Sequence, residues 1–253
     1  MNNLLPVPSG IASTLAMTHN RGPLPPYSWS SVPRISVPAN GIWSWNSVFG
    51  PAEYEKTIQG VYLGVSPTCE WSLWPYNDIS ASRGQKSRPY LKSIDGIVGY
   101  KTGDDSGDLD VKKIEGARNP DGTYRWQEIE YCQWKKRNGM NIPPRAKRTQ
   151  LVGILPEAGD PVIISLPGTS IGAFKPFLDH YPTPGGVVIA IDAQPVTGRA
   201  HRIAVPRVIG MLDPEATSRI NELFVSRISP LLDFKTPSVA DPKASVVVDE
   251  VPF

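Results

Sequence analysis

The sequence contains little cysteine or histidine and no long hydrophobic run. Its 253 residues include two cysteines, Cys69 and Cys132, and three scattered histidines, so neither a disulfide framework nor the spacing of a zinc site is indicated. No apolar stretch approaches the length that spans a bilayer, and the first residues lack a basic region followed by an apolar segment. We therefore expect a cytoplasmic protein.

The sequence also has no large excess of positive or negative charge, and it lacks the common catalytic sequence motifs. The formal net charge is +2, which argues against a uniformly basic surface, so any electrostatic footprint must be local. The sequence has no nucleophile elbow of the Gly-x-Ser-x-Gly type, no phosphate-binding loop and no paired cysteine and histidine. We therefore expect no enzymatic activity and no cofactor.

What the chain does contain in quantity is proline, and one region shows a clear alternation of elements. The 27 prolines favour strands and loops over long helices. Runs of β-branched residues bounded by proline or glycine predict two hairpins with a short helix between them. The predicted elements are, in order, strands 149–155 and 161–166, helix 169–180, and strands 186–193 and 199–209.

The helix prediction depends on apolar residues at helical spacing. Ile171, Phe174 and Phe177 share one face, and Thr169 or Ser170 is the expected N-cap. Pro176 inside the segment argues against a regular helix. A second helix is predicted after the last strand, where Asp213 precedes Pro214 at the first helical position and an apolar stripe follows. That stripe consists of Ile220, Leu223, Phe224 and Ile228.

A further predicted strand at 55–65 completes a recognisable order. Strand, strand, strand, helix, strand, strand is the order of the OB-fold, a five-stranded barrel that binds oligonucleotides, although other small β-barrels would fit. We therefore predict a mainly β protein with an OB-fold barrel, a large insert between strands 1 and 2, and a C-terminal helix. Trp43 and Trp45 alternate along an extended segment and are expected to plug one end of the barrel.

Composition divides the chain into three predicted parts. Residues 1–40 are rich in proline, serine, asparagine and glycine and predict a flexible arm. Residues 41–233 form the predicted OB-fold domain, with the insert at 67–148. Residues 234–253 have the composition of a linker followed by a short acidic tail.

The insert interleaves aromatic rings with basic residues. From Arg83 to Arg148 there are 15 basic and 9 acidic residues, so positive charge is concentrated here. Bases stack on aromatic rings while cations follow the phosphates, which predicts a surface for single-stranded nucleic acid; alternatively, several rings form the core of the insert. The candidate contacts, including two arginines of the second hairpin, are Trp71, Trp74, Tyr76, Arg83, Lys86, Arg88, Tyr90, Lys112, Lys113, Trp126, Tyr131, Trp134, Lys135, Lys136, Arg137, Arg145, Lys147, Arg148, Arg199 and Arg202.

An acidic loop inside the insert leaves a second possibility open. Asp104, Asp105, Asp108 and Asp110 lie within seven residues and suggest a divalent-metal site, hence a nuclease. Their spacing does not match a calcium-binding loop, and the intervening glycine and serine favour a solvated loop. We therefore predict no metal site.

The last residues resemble those of a known family. Asp249, Glu250, Val251, Pro252 and Phe253 end the chain behind a linker, and this closely resembles the acidic tip of bacterial-type single-stranded DNA-binding proteins. The resemblance implies an OB-fold, no catalysis, and docking of replication and repair proteins on the tip, with the Phe ring in an apolar pocket. The long domain, large insert and short linker depart from the family and look like a phage- or plasmid-encoded relative, which puts the family's tetrameric state in doubt.

The combined prediction is a protein of the bacterial host cytoplasm that binds and protects single-stranded DNA in replication, recombination and repair. Its barrel and insert would hold the DNA, and its tail would recruit partner proteins. Homo-oligomers are possible. The alternatives are a phage structural or assembly protein, whose β-rich and proline-rich composition would look similar, and a metal-dependent nuclease that uses the Asp104–Asp110 loop.

Overall fold

A computed structural model describes residues 32–47, 50–75, 88–137, 139–157, 159–198 and 201–235. The chain divides into two compact units. The first takes its described residues from Met1–Cys69 and Arg148–Phe234, and the second from Glu70–Lys147 and Lys235–Phe253. No helix in the described residues is both long enough and apolar enough to cross a membrane.

The described part of the chain is mainly β, with short helices. The strands are β1 (Arg34–Ser36), β2 (Ile42–Ser47), β3 (Gly50–Glu55), β4 (Thr57–Val65), β5 (Glu70–Leu73), β6 (Leu91–Ser93), β7 (Val98–Lys101), β8 (Tyr124–Arg125), β9 (Lys135–Arg137), β10 (Met140–Ile142), β11 (Lys147–Pro156), β12 (Val162–Pro167), β13 (Val187–Pro195) and β14 (Arg202–Met211). The α-helices are α1 (Val111–Glu115), α2 (Gly168–His180), α3 (Pro214–Ile220) and α4 (Ser226–Leu232).

Strand β4 is the centre of the sheet in the first unit. It pairs with β11 on one side and with β13 on the other, while β11 pairs with β12 and β13 with β14, all antiparallel. Both predicted hairpins are therefore confirmed. No pairing joins β12 to β14 among the described strands, so the sheet does not close into a barrel.

The predicted N-terminal arm is too long at its C-terminal end. Arg34–Ser36 forms β1, which pairs in parallel with Ile163, Ile164 and Ser165 of β12. This pairing explains the difference, because β12 would otherwise present an open edge and β1 supplies it with backbone partners. Residues 1–31 of the predicted arm lie outside the described residues.

The hairpin of β2 and β3 brings two tryptophans into the core of the first unit. Trp43 and Trp45 alternate with exposed residues along β2, and both are buried, which confirms that they point to the same side. The ring of Trp45 stacks on Tyr54, with 5.5 Å between the ring centroids. Lys56, with φ of 60°, separates β3 from β4, so the predicted strand 55–65 begins at Thr57.

Helix α2 follows the predicted bounds within one residue. Ile171, Phe174 and Phe177 are buried in the core, and Pro176 lies inside the helix without ending it. The predicted N-cap is wrong, because Pro167 occupies that position. The Ser170 hydroxyl instead accepts a hydrogen bond from the backbone N–H of Ala204 on β14, at 2.9 Å.

The helices after β14 cover one face of β4 and β11. Asp213 caps α3 as predicted, accepting a hydrogen bond from the Ala216 N–H at 2.7 Å. A π-helical turn, Asn221–Val225, links α3 to α4. Ile228 and Leu232 of α4 lie so close to Gly153 that a Cβ there would be 3.1 Å from Ile228 Cγ2. The predicted apolar stripe therefore packs on the sheet.

The second unit is an antiparallel meander around its own small core. Strands β5, β6, β7 and β8 pair in sequence order, and β9 and β10 form a separate hairpin. Asp95 accepts hydrogen bonds from the N–H groups of Ile97 and Val98, which stabilise the turn between β6 and β7. The buried side chains of the core are Leu73, Tyr90, Leu91, Leu109, Ile114, Ala117, Tyr124, Trp126, Ile129, Cys132 and Ala146.

Candidate nucleic-acid interface

The hairpin of β9 and β10, called the basic hairpin below, combines cationic and apolar side chains. Its register places Lys135 opposite Ile142, Lys136 opposite Asn141 and Arg137 opposite Met140. Directly opposite residues of an antiparallel pair project from the same face, and successive residues alternate between faces. One face therefore carries the side chains of Lys135, Arg137, Met140 and Ile142, and the other those of Lys136 and Asn141.

Large apolar side chains at the basic hairpin are open to solvent. Trp134, which directly precedes β9, is 69% exposed, Met140 is 68% exposed and Ile142 is 37% exposed. An indole this accessible has a ring face available for stacking, and three cations follow it in the chain. Nucleic-acid contact by Trp134 and Lys135–Arg137 stays a prediction.

The cations of the basic hairpin differ in their pairing. Lys136 and Arg137 are exposed and form no ion pair with any described residue. Lys135 instead donates a hydrogen bond to Glu130, which also accepts one from Lys113 at 3.1 Å. These two bonds hold the pKa of the Glu130 carboxyl below its ordinary value. Lys136 and Arg137 are therefore the better candidates for phosphate contact.

Arg145 has a structural role in the second unit. Its Nη1 and Nη2 donate to the two carboxylate oxygens of Asp108 at 2.9 and 2.6 Å, and its side chain is only 13% exposed. The guanidinium also lies over the ring of Tyr131, 5.7 Å from the centroid. This bidentate pairing leaves Arg145 poorly placed to bind phosphate, and it occupies the carboxylate of Asp108 in the acidic loop.

The other residues of the acidic loop do not converge on a metal position. Asp105 accepts a hydrogen bond from the N–H of Gly107 within the loop, and Asp110 immediately precedes α1. Over the described ranges, no group of three or more His, Cys, Asp or Glu side chains has a geometry that could hold a metal ion.

Two of the predicted stacking rings are core residues. Tyr90 and Trp126 are each 2% exposed and belong to the buried cluster of the second unit. A Cβ added to Gly99 would lie 3.1 Å from Trp126 Cε3, so the ring packs directly against the backbone of β7. Their burial leaves no ring face on which a base could stack, so the predicted contacts at Tyr90 and Trp126 are wrong for this structure.

Three further candidate rings of the insert, Trp71, Trp74 and Tyr131, are half-buried. Trp71 and Tyr131 pack against the core of the second unit, and Trp74 is also partly covered. The Tyr131 hydroxyl accepts a hydrogen bond from the N–H of Asp110 at 3.0 Å. The Tyr131 side chain therefore holds the backbone at the start of α1. The rings of Trp71 and Trp74 are partly accessible to solvent.

Arg202 binds backbone in the first unit. Its Nε donates to the Ala39 carbonyl at 3.1 Å and its Nη1 to the Ala193 carbonyl at 3.0 Å. A Cβ on Gly41 would lie 3.0 Å from the guanidinium carbon, so this side chain fills the space beside the turn before β2. The predicted nucleic-acid contact at Arg202 is therefore replaced by a structural role.

Four further predicted cations are exposed: Arg88, Lys112, Lys147 and Arg148. None of the four lies in the basic hairpin, and none is buried in a hydrophobic core. Predicted contacts that lie outside the described residues are Tyr76, Arg83, Lys86, Arg199 and the tail residues 249–253.

The basic hairpin is an element that was not predicted from the sequence. The signal was present, because Asn138-Gly139 is a dipeptide typical of two-residue hairpin turns, and Gly139 has φ of 77°. Met140 and Ile142, which share a face with Lys135 and Arg137, were consequently not considered.

Comparison with protein-family models, with curated proteins and with solved structures finds no match for this chain. The function is therefore inferred from the residues and their geometry.

Proposed function

We propose that this chain binds single-stranded DNA without sequence preference and protects it during replication, recombination and repair. The observation that carries the proposal is Trp134, an indole that is 69% exposed and is followed in the chain by Lys136 and Arg137, two exposed cations that form no ion pair with any described residue. Stacking on an aromatic ring tolerates any base, and neighbouring cations neutralise the phosphates. The pairing of an exposed ring with exposed cations is what such binding requires.

The strand arrangement of the first unit supports the proposal. The pairings of β4 with β11 and β13, of β11 with β12, and of β13 with β14 suit a partly open barrel of the OB type. We assign β4 and β11 as its first two strands. Glu70–Lys147 then occupies, in chain order, the connection through which OB-folds contact oligonucleotides.

A titration of the full chain with oligo-dT in metal-free buffer, followed by intrinsic tryptophan fluorescence, tests this proposal. Stacking on an indole quenches its emission, so we expect saturable quenching. A structural or assembly protein would show no response. Cleavage of the oligonucleotide on adding Mg²⁺ would instead identify a nuclease and contradict the proposal.

Replacing Lys136 and Arg137 by glutamine should reduce the salt dependence of oligo-dT binding. Each phosphate contact contributes a log-log slope of about −0.7 on single strands, so losing both contacts should flatten the slope by about 1 to 1.5 units. The matched control replaces Lys175 and Lys235, which are also exposed, and should leave the slope unchanged. Equal slopes for the two double variants would place the phosphate track elsewhere.

The proposal includes recruitment of replication or repair proteins by the tail. Asp249 and Glu250 would be repelled by DNA and attracted to a basic pocket on a partner, into which Phe253 would insert. Deleting residues 249–253 should leave oligo-dT affinity equal or slightly higher at low salt, while abolishing capture of host replication proteins. Weaker DNA binding after this deletion would refute the separation of roles, and undiminished capture would refute the role of the tail.

A further inference from the structure

The second unit contains a solvent-open cleft of about 490 Å³, a volume within the usual range of small-molecule sites. One wall is the end of β7 with the loop that follows it, and the other is the turn before β8. The residues that matter here are Tyr100, Lys101 and Asp104 on the first wall and Arg118, Asp121 and Tyr124 on the second. None of them belongs to the basic hairpin.

Hydrogen bonds hold both walls in place. On the first wall, Thr102 Oγ1 donates to the Pro89 carbonyl at 2.7 Å. On the second, one oxygen of Asp121 accepts from the N–H and the hydroxyl of Thr123, at 2.9 and 2.6 Å. These bonds hold the loops of the two walls, so those loops lose less conformational entropy on binding. The Asp104 side chain itself is fully exposed to solvent.

Each wall of the cleft carries one cation and one carboxylate, Lys101 and Asp104 on the first and Arg118 and Asp121 on the second. Asp104 is exposed, and the nearest cation to its carboxylate is Lys101, with Nζ 3.9 Å from Oδ1. Arg118 on the opposite wall donates a hydrogen bond from Nη1 to Glu115 at 3.3 Å, and its side chain is 54% exposed. The two cations and two carboxylates of the lining balance, which does not suit a bare polyanion or a metal ion.

We propose that this cleft binds a guanine nucleotide. The Watson–Crick edge of guanine presents two adjacent N–H donors, which match the two oxygens of the Asp104 carboxylate. Thymine presents one N–H between two carbonyl oxygens, which a carboxylate repels. Arg118 donates to the phosphate, since a guanidinium suits phosphate oxygens. Half-buried Tyr100 supplies a ring beside the base.

The guanine can come from a free nucleotide or from a base within a strand. As a free-nucleotide site the cleft is independent of the proposed function. If the cleft binds a guanine within a DNA strand, the inference rests on the proposed function. It would then add a preference for guanine at one position of an interface that otherwise has no sequence preference.

Calorimetric titration of the full chain with GMP and with TMP tests the site. We expect GMP to bind about tenfold more tightly than TMP. Asp104→Asn should remove most of that preference, because the amide presents a donor where guanine needs an acceptor. Asp110→Asn is the matched control: Asp110 is also exposed, and its side chain makes no capping hydrogen bond to α1. Equal affinities for GMP and TMP, or equal behaviour of the two variants, would overturn the proposal.

A second titration separates the two sources of guanine. An oligo-dT with one central guanine should bind more tightly than oligo-dT alone if the cleft reads a strand, and this difference should disappear in Asp104→Asn. If GMP binds selectively and the guanine-containing oligonucleotide gains nothing, the cleft takes the free nucleotide. If oligo-dT does not quench tryptophan fluorescence, the proposed DNA binding is contradicted. Selective binding of GMP would still support the cleft as a site for the free nucleotide.

Discussion

Replacing Trp134 by alanine is expected to weaken binding of oligo-dT by about 1 to 3 kcal/mol, or about 5- to 150-fold in Kd. The indole is 69% exposed, so its removal takes away a stacking surface without opening a cavity. Folding stability should therefore change by less than about 0.5 kcal/mol. Fluorescence anisotropy of a labelled oligonucleotide measures the affinity, and urea unfolding followed by circular dichroism measures the stability.

Trp134→Phe separates stacking from other effects of this change. Phenylalanine keeps an aromatic face but loses the indole N–H, so it should retain most of the affinity that alanine loses. The fluorescence quenching caused by oligo-dT should fall in both variants, because the reporting indole is gone. Full affinity in Trp134→Ala would show that this ring carries no base.

Replacing Trp126 by alanine is expected to lower the free energy of unfolding by about 3 to 5 kcal/mol. Trp126 is 2% exposed and packs against Gly99 and the other buried side chains of the second unit. Its removal leaves a cavity that the meander fills only in part. Urea unfolding followed by circular dichroism measures the loss.

Trp134→Ala is the matched control for this measurement, since the same substitution is made eight positions away at an exposed site. Affinity for oligo-dT per folded molecule should stay close to that of the unaltered chain in Trp126→Ala. A small loss of stability together with a large loss of affinity would show that Trp126, contrary to its burial, contacts the DNA.

The local elements were predictable because short-range signals specify them. Pro161 and Gly186 punctuate the β-branched runs that become β12 and β13, and a strand needs little more than such a run with defined ends. Asp213 and Pro214 likewise specify the start of α3, because both act within one turn of the helix.

The edges of the first unit's sheet could not be predicted in the same way. Arg34–Ser36 has no strand signal of its own and becomes β1 because β12, more than 120 residues later, offers it an edge. Ser170 has the residue type of an N-cap, yet its hydroxyl is used by Ala204 on β14. Both outcomes depend on partners that only the folded chain brings close.

The candidate interface also combines features that local sequence predicts with features that only distant contacts decide. Arg125-Trp126 and Trp134-Lys135 look alike in the sequence, each placing an indole beside a cation. The sequence by itself determined that such pairs are concentrated in the insert, because composition and spacing are local properties. Which indole is accessible depended on whether other parts of the chain, such as β7 at Gly99, pack against it. Which cation is already paired depended on contacts such as that of Arg145 with Asp108, 37 residues away. Burial and charge pairing are set by residues distant in the chain, so only the tertiary structure distinguished Trp134 from Trp126.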